Sequence, residues 1–197
     1  NGDHQTLQHA ALVVGIVGLI AALAARAPPL ALAAGMAFGL SLWVSTESLA
    51  ALALVAIGLG LAAATLSRVD RAEPLRLATR FATGCLAVAT LGHLVENGLH
   101  PALDWDRISL FQVAAAAGLW LALTALSWLD RRDGRAPWAS VLIAATGAAT
   151  LVVVPFLAVP ALRLRLLQQL TALADLDTWA RACVAEFHPL FSELFTG

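Results

Sequence analysis

Runs of about 20 predominantly apolar residues follow one another along this sequence, separated by short polar or proline-containing breaks. A helix needs about that length to cross the ~30 Å hydrocarbon core of a bilayer. Of the 197 residues, 60% are hydrophobic and 13% are charged, against roughly 25% charged in an average soluble domain. One water-soluble core cannot bury this much apolar surface. The composition therefore indicates a chain that lies in a lipid bilayer, and it excludes a soluble enzyme or binding module.

We predict an all-α, polytopic transmembrane helix bundle with about six spans. The apolar stretch 30–66 is too long for one helix, and residues 45–47 divide it because the carboxylate of Glu47 would be costly at mid-bilayer. A charged loop is expected at 67–74, and Pro155 is expected to kink the last helix. The predicted spans are 7–25, 30–44, 48–66, 75–95, 108–129 and 138–159.

The arginines give this bundle a predicted orientation. Lys is absent, and the Arg residues of the connections fall mainly in alternate connections, which the positive-inside rule assigns to the cytoplasm. They are Arg26, Arg68, Arg71, Arg131, Arg132 and Arg135, and Arg76 and Arg80 open the fourth span from the same side. The external face then receives residues 1–6, the turn at Glu47, the loop 96–107 and everything after Pro160. The formal net charge is -1, and no polybasic surface for a nucleic acid is available.

The composition changes after Pro160. Arg, Gln and Asp residues there interrupt a Leu-rich pattern of helical spacing, which predicts an amphipathic helix on the membrane surface, followed by a short helix at 178–187. We therefore expect a transmembrane bundle over 1–159 and a pair of external amphipathic helices with a loop over 160–197. Because the chain begins at Asn1 without the pattern of a signal peptide, we also expect an internal piece of a longer protein.

Polar residues gather on the predicted external face. The first cluster is Asp3, His4 and Gln5, just ahead of a span; Asp and His are ligands of divalent ions, although a polar terminus that caps a helix has the same pattern. The second cluster holds Glu186 and His188 before Pro189. Its proline would present the carboxylate rigidly at the membrane surface, and the alternative is an interfacial loop that keeps Glu186 in water.

Other polar residues on this face have simpler explanations. Glu47 would face either a cavity or the external water of a turn. His93 and Glu96 are three residues apart and would share a helical face, where they would bond to each other or line the bundle. The sequence contains no P-loop, CxxC pair or zinc-spaced set, and the predicted spans lack a central Asp, Lys or Arg. These features favour chemistry at the membrane surface over ion transport.

At these clusters the chain resembles the GT-C superfamily of polytopic glycosyltransferases, and in particular the oligosaccharyltransferase catalytic subunits and related bacterial membrane proteins. The stretch from Gly2 to Gln8, Gly-Asp-His-Gln-Thr-Leu-Gln, is similar to an external Asp-His-His motif followed by Leu-Gln. The residues around Glu47 look like an external turn of the bacterial relatives, and residues 184–189, Val-Ala-Glu-Phe-His-Pro, are similar to an external motif that ends in Glu.

The resemblance implies a function and a set of site residues. Asp3 and Glu186 would be the catalytic carboxylates, and with Gln5 they would bind a divalent cation, Mg or Mn, that holds the pyrophosphate of a polyprenyl-linked sugar donor. Hard cations prefer carboxylate oxygen, and an amide oxygen such as that of Gln5 is a weaker ligand than the imidazole of the family motif. His4, Glu47 and His188 would contact substrate.

The resemblance also implies a location and partners. The protein would lie in a prokaryotic inner membrane with its site on the external, periplasmic face, and it would transfer sugar to a protein, lipid or glycan acceptor. A fragment of this extent is expected to be inactive alone, because the family's first external loop and soluble domain are not within it. The alternative is a non-enzymatic polytopic membrane protein, either a transporter subunit or a scaffold, whose external acids are only solvated.

Overall fold

The computed structural model of the chain is all-helical in the residues that it describes, which are 2–45, 48–100, 108–132, 137–158, 160 and 163–164. By its internal contacts the chain divides into two compact units, 1–153 and 154–197. Six helices follow in chain order: α1 (Gly2–Ala25), α2 (Pro28–Val44), α3 (Ser48–Thr65), α4 (Arg68–Asn97), α5 (Leu110–Arg132) and α6 (Pro137–Ala158).

Four of these helices contain a segment that is long and apolar enough to cross a membrane. The segments are Gln5–Ala25, Ser48–Thr65, Asp70–Asn97 and Leu110–Asp130, whereas Pro28–Val44 and Trp138–Thr150 are shorter apolar helices. The all-α prediction is confirmed, and the apolar helices are compatible with a lipid bilayer. The count of six spans stays a prediction, and the predicted external helix pair falls almost entirely outside the described residues.

The long apolar stretch is divided where the sequence predicts it. Helix α2 ends at Val44, and α3 begins at Ser48. Pro28 and Pro29 occupy the first positions of α2, where a proline costs nothing because the first backbone N–H groups of a helix have no partner within it. Pro155 lies within α6.

The predicted loop at 67–74 is wrong, because these residues open α4. The Ser67 side chain accepts a hydrogen bond from the Asp70 backbone N–H at 3.3 Å, and Asp70 places a negative charge in the first turn. Pro74 removes one backbone donor, yet the helix continues through it. Arg71 is also not a solvated loop residue, since it is 2% exposed and pairs with Asp130 of α5.

Helix α2 packs mainly against α4 and α1. Small residues allow the backbones of α2 and α4 to approach closely. A Cβ atom added at Gly35 would lie 1.9 Å from the Phe81 carbonyl oxygen, and one added at Gly84 would lie 2.4 Å from that of Leu32. Next to this contact, the rings of Phe38 and Phe81 meet edge to face with centroids 5.5 Å apart.

Candidate functional site at one end of the bundle

Polar contacts join the helix ends at one end of the bundle. Near the start of α1, the buried amide of Gln8 donates to the Ser48 hydroxyl of α3 at 3.4 Å. Ser48 in turn donates to the Ser41 backbone carbonyl of α2 at 3.1 Å. Buried polar groups in an apolar bundle must find partners of this kind. The first turns of α1 and α3 and the last turn of α2 therefore meet at this end.

The last turn of α4 belongs to the same end. The Trp43 indole of α2 donates to the Glu96 carboxylate. His93 is 6% exposed, and its Nδ1 lies 3.3 Å from Nδ2 of Asn97. Asn97 also donates to the Ile108 carbonyl at 2.7 Å, which brings the chain before α5 to this end. Of the two roles predicted for His93 and Glu96, lining the bundle applies to His93, and the structure gives Glu96 a partner on another helix.

Helix α5 begins at this end with a capping box. The Ser109 hydroxyl accepts from the Phe111 backbone N–H at 3.3 Å. The Gln112 side chain reaches back and accepts from the Ser109 backbone N–H at 2.8 Å and from its hydroxyl at 2.6 Å. Both residues are fully buried, so the reciprocal bonds also satisfy polar groups that no water reaches. This start fixes where α5 lies relative to the end of α4.

An apolar cavity of about 940 Å³ lies between α3, α5 and α6. Its wall includes Leu49 and Phe111, which adjoin the polar end through Ser48 and Gln112. The same cavity extends along the helices to Gly60 and Ala64 of α3 and to Trp138 of α6. Because its lining is almost entirely apolar and follows the helices, an apolar chain such as that of a lipid could occupy this space.

The structure describes few of the residues predicted for the site. Asp3 and His4 belong to the first turn of α1, and only their backbone is described, while the Gln5 side chain is exposed. Glu47 directly precedes Ser48 but lies outside the described residues, as do Glu186 and His188. The backbone thus brings the start of α1 and the beginning of α3 to one end, and the convergence of Asp3 with Glu186 stays a prediction.

The divalent cation also stays a prediction. Among the side chains that the structure describes, no group of three or more His, Cys, Asp or Glu residues is placed to hold a metal ion. Gln5 is the one expected ligand whose side chain is described, and its exposed amide is a poor ligand by itself. The two carboxylates that would form the site, Asp3 and Glu186, have no described side chains.

Sequence reasoning missed the residues that organise this end. Ser41, Ser48 and Gln112 were not singled out, although the order Ser-x-x-Gln at 109–112 is a capping signature. Gln8 was noted only as part of a motif. The buried amide of Gln8 gives no local sign of its partner, because Ser48 lies 40 residues further along the chain.

The described part of the chain thus has the character of an all-helical membrane bundle with a polar end and a lipid-sized apolar cavity. The chain matches no known protein family, and neither a curated protein nor a solved structure is significantly similar to it.

Proposed function

We propose that this chain is the membrane part of a metal-dependent GT-C type glycosyltransferase that transfers a sugar from a polyprenyl-linked donor to an external acceptor. The observation that carries the proposal is the apolar cavity of about 940 Å³ that reaches the polar end, where the first turn of α1 contains Asp3. The polyprenyl chain of the donor would lie in the cavity, and its pyrophosphate would lie at the polar end. The sequence motifs support the same arrangement.

Each predicted residue has a chemical role in this proposal. Asp3 and Glu186 hold a divalent cation, with Gln5 as a weaker ligand, and the cation neutralises charge on the leaving pyrophosphate. His4, Glu47 and His188 position donor or acceptor. The active site faces the periplasm of a bacterial inner membrane, because the Arg-rich connections are cytoplasmic.

The first test replaces the carboxylates without changing their size. Asp3→Asn and Glu186→Gln in the full-length protein are expected to lower sugar transfer by more than about 100-fold, since each removes a hard ligand from the metal. Transfer from a radiolabelled polyprenyl-linked donor is the measurement. Glu73→Gln is the matched control, because Glu73 is an acid on α4 that pairs with Arg76 at the opposite end. Normal transfer by both variants would favour the non-enzymatic scaffold.

A second test addresses the cavity. Ala122 lines its wall, and Ala122→Phe would fill part of the space that the donor chain needs. We expect KM to rise for a long-chain donor while a short-chain analogue is turned over as before. An equal change in KM for both donors would show that the cavity does not hold the chain.

A further inference from the structure

A second cavity, of about 500 Å³, lies between α4 and α5, in the half of α4 that is remote from the polar end. Unlike the apolar cavity, it has a wall with many polar side chains. Arg76 and Arg80 line it from α4, and Thr124, Ser127 and Asp130 line it from α5. Its volume falls within the range of about 300 to 1,000 Å³ that small-ligand sites occupy.

Two hydroxyls in this wall lack partners. Thr124 Oγ1 and Ser127 Oγ are buried, and neither has a hydrogen-bond partner among the residues that the structure describes. By contrast, Thr79 and Thr83, which line the same cavity from α4, each donate to the carbonyl four residues earlier at 2.8 Å. An unpaired buried hydroxyl is costly. Both side chains line the cavity, so a change of rotamer would let each hydroxyl donate to a molecule that binds there.

The charges of the wall favour an anion. Arg76 and Arg80 are one turn apart on α4; Arg76 is held by Glu73 at 2.8 Å, and Arg80 is exposed without an ion pair to any other described side chain. Asp130 does not oppose an anion fully, because Arg71 pairs with it in the adjoining wall. A guanidinium with two hydroxyl donors matches a group that carries several acceptor oxygens.

We propose that this cavity binds a phosphate group, which Arg80 contacts as the charged donor and Thr124 and Ser127 contact through their hydroxyls. The cavity extends along α4 and α5 to Ala72 and Asp130, near the end that the Arg pattern assigns to the cytoplasm, where anionic lipid headgroups lie. The phosphodiester of such a headgroup and free phosphate present the same oxygens, so both are tested. The site is separate from the glycosyltransferase site proposed above.

The test measures the thermal unfolding midpoint of the full chain in detergent micelles against the concentration of three probes: phosphatidylglycerol, diacylglycerol and inorganic phosphate. We expect phosphatidylglycerol to raise the midpoint and the phosphate-free diacylglycerol to leave it unchanged. Arg80→Gln is expected to weaken the apparent affinity for phosphatidylglycerol about five-fold, because one basic residue near an anionic surface has an effect of that size. Thr124→Val with Ser127→Ala should weaken it as well, and this pair also carries the test if Arg80→Gln does not fold.

Matched controls distinguish binding at this site from a general effect of charge or polarity. Arg26→Gln removes an exposed Arg at the same predicted side, and Thr65→Val removes a helical hydroxyl that already donates to the Leu61 carbonyl. Both controls should respond to phosphatidylglycerol as the wild type does. If inorganic phosphate also raises the midpoint, and the cavity variants lose that response, the ligand is a soluble phosphate. The proposal is overturned if no phosphate probe raises the midpoint, or if the controls lose the response equally.

Discussion

At the scale of single residues, the pair of Arg71 and Asp130 is the most consequential contact. Arg71 Nε donates to Asp130 Oδ1 at 2.9 Å, and Arg71 Nη1 donates to the Ala63 carbonyl of α3 at 3.2 Å. The two residues are 2% and 7% exposed. One guanidinium thus connects the first turn of α4 with the ends of α3 and α5. A buried charge of this kind is tolerated only with its partner in place.

Removing one member of this pair should therefore be more harmful than removing both. Arg71→Met is expected to lower the free energy of unfolding by about 3 to 5 kcal/mol, because it removes the buried guanidinium that pairs with the Asp130 carboxylate. The double variant Arg71→Met with Asp130→Leu should recover much of that loss. Reversible denaturant unfolding in micelles gives the free energy of unfolding of Arg71→Met, of Asp130→Leu and of the double variant. Together with the wild type, these three variants form a double-mutant cycle. Additive effects of the two single substitutions would contradict the coupling.

At the scale of elements, the contact between α2 and α4 depends on residues that have almost no side chain. Gly35 faces the Phe81 backbone so closely that any side chain must push the helices apart. Association of helices in lipid relies on packing, since lipid tails are as apolar as leucine, and small residues permit that packing. The close contact between α2 and α4 therefore depends on Gly35 and Gly84.

Gly35→Ala tests this contact. The added Cβ would lie 1.9 Å from the Phe81 carbonyl oxygen, so the variant should be destabilised by about 1 to 3 kcal/mol, the usual cost of overpacking. Gly58→Ala is the matched control, because a Cβ there meets nothing within 4 Å. Denaturant unfolding midpoints of both variants are the measurement. Equal stability of the two variants would show that α2 and α4 are less closely packed than the structure has them.

At the scale of the whole molecule, the contacts assign the helix ends to two ends of the bundle. The starts of α1, α3 and α5 and the ends of α2 and α4 share one end through Gln8, Ser48 and Asn97. The Arg71 contacts join the end of α3, the start of α4 and the end of α5 at the other. This alternation is what antiparallel neighbouring helices require, and the positive-inside rule predicts that the Arg71 end lies in the cytoplasm.

Cysteine accessibility tests that orientation. Leu99 is 93% exposed after α4, and Arg26 is exposed after α1. In a Cys183→Ser background, Leu99→Cys should react with a membrane-impermeant maleimide in intact bacterial cells, whereas Arg26→Cys should react only after permeabilisation. The buried Cys85 should stay unlabelled in both conditions and acts as the internal control. The reverse pattern would invert the orientation and move the proposed active site to the cytoplasm.

The sequence by itself determined most of the helices. Runs of apolar residues set α1, α3 and α5 to within a few residues, because helix formation in lipid follows from local hydrophobicity and satisfied backbone groups. The polar residues before Ser48 likewise placed the break between α2 and α3. The motifs around Asp3 and Glu186 suggested a chemistry, and these are local patterns as well. Each of these features depends on no more than about 20 consecutive residues.

Only the tertiary structure decided how the polar residues are used. Arg71 looks like a loop residue in sequence, yet Asp130, 59 residues away, makes its burial in α4 possible. Gln8 is hydrogen-bonded to Ser48 across 40 residues of sequence, and Trp43 to Glu96 across 53. The free energy of a buried polar group depends on the partner that packing brings to it. That partner leaves no mark in the neighbouring sequence, which is why the helices were predictable, whereas the bonds that join the helix ends and the second cavity were not.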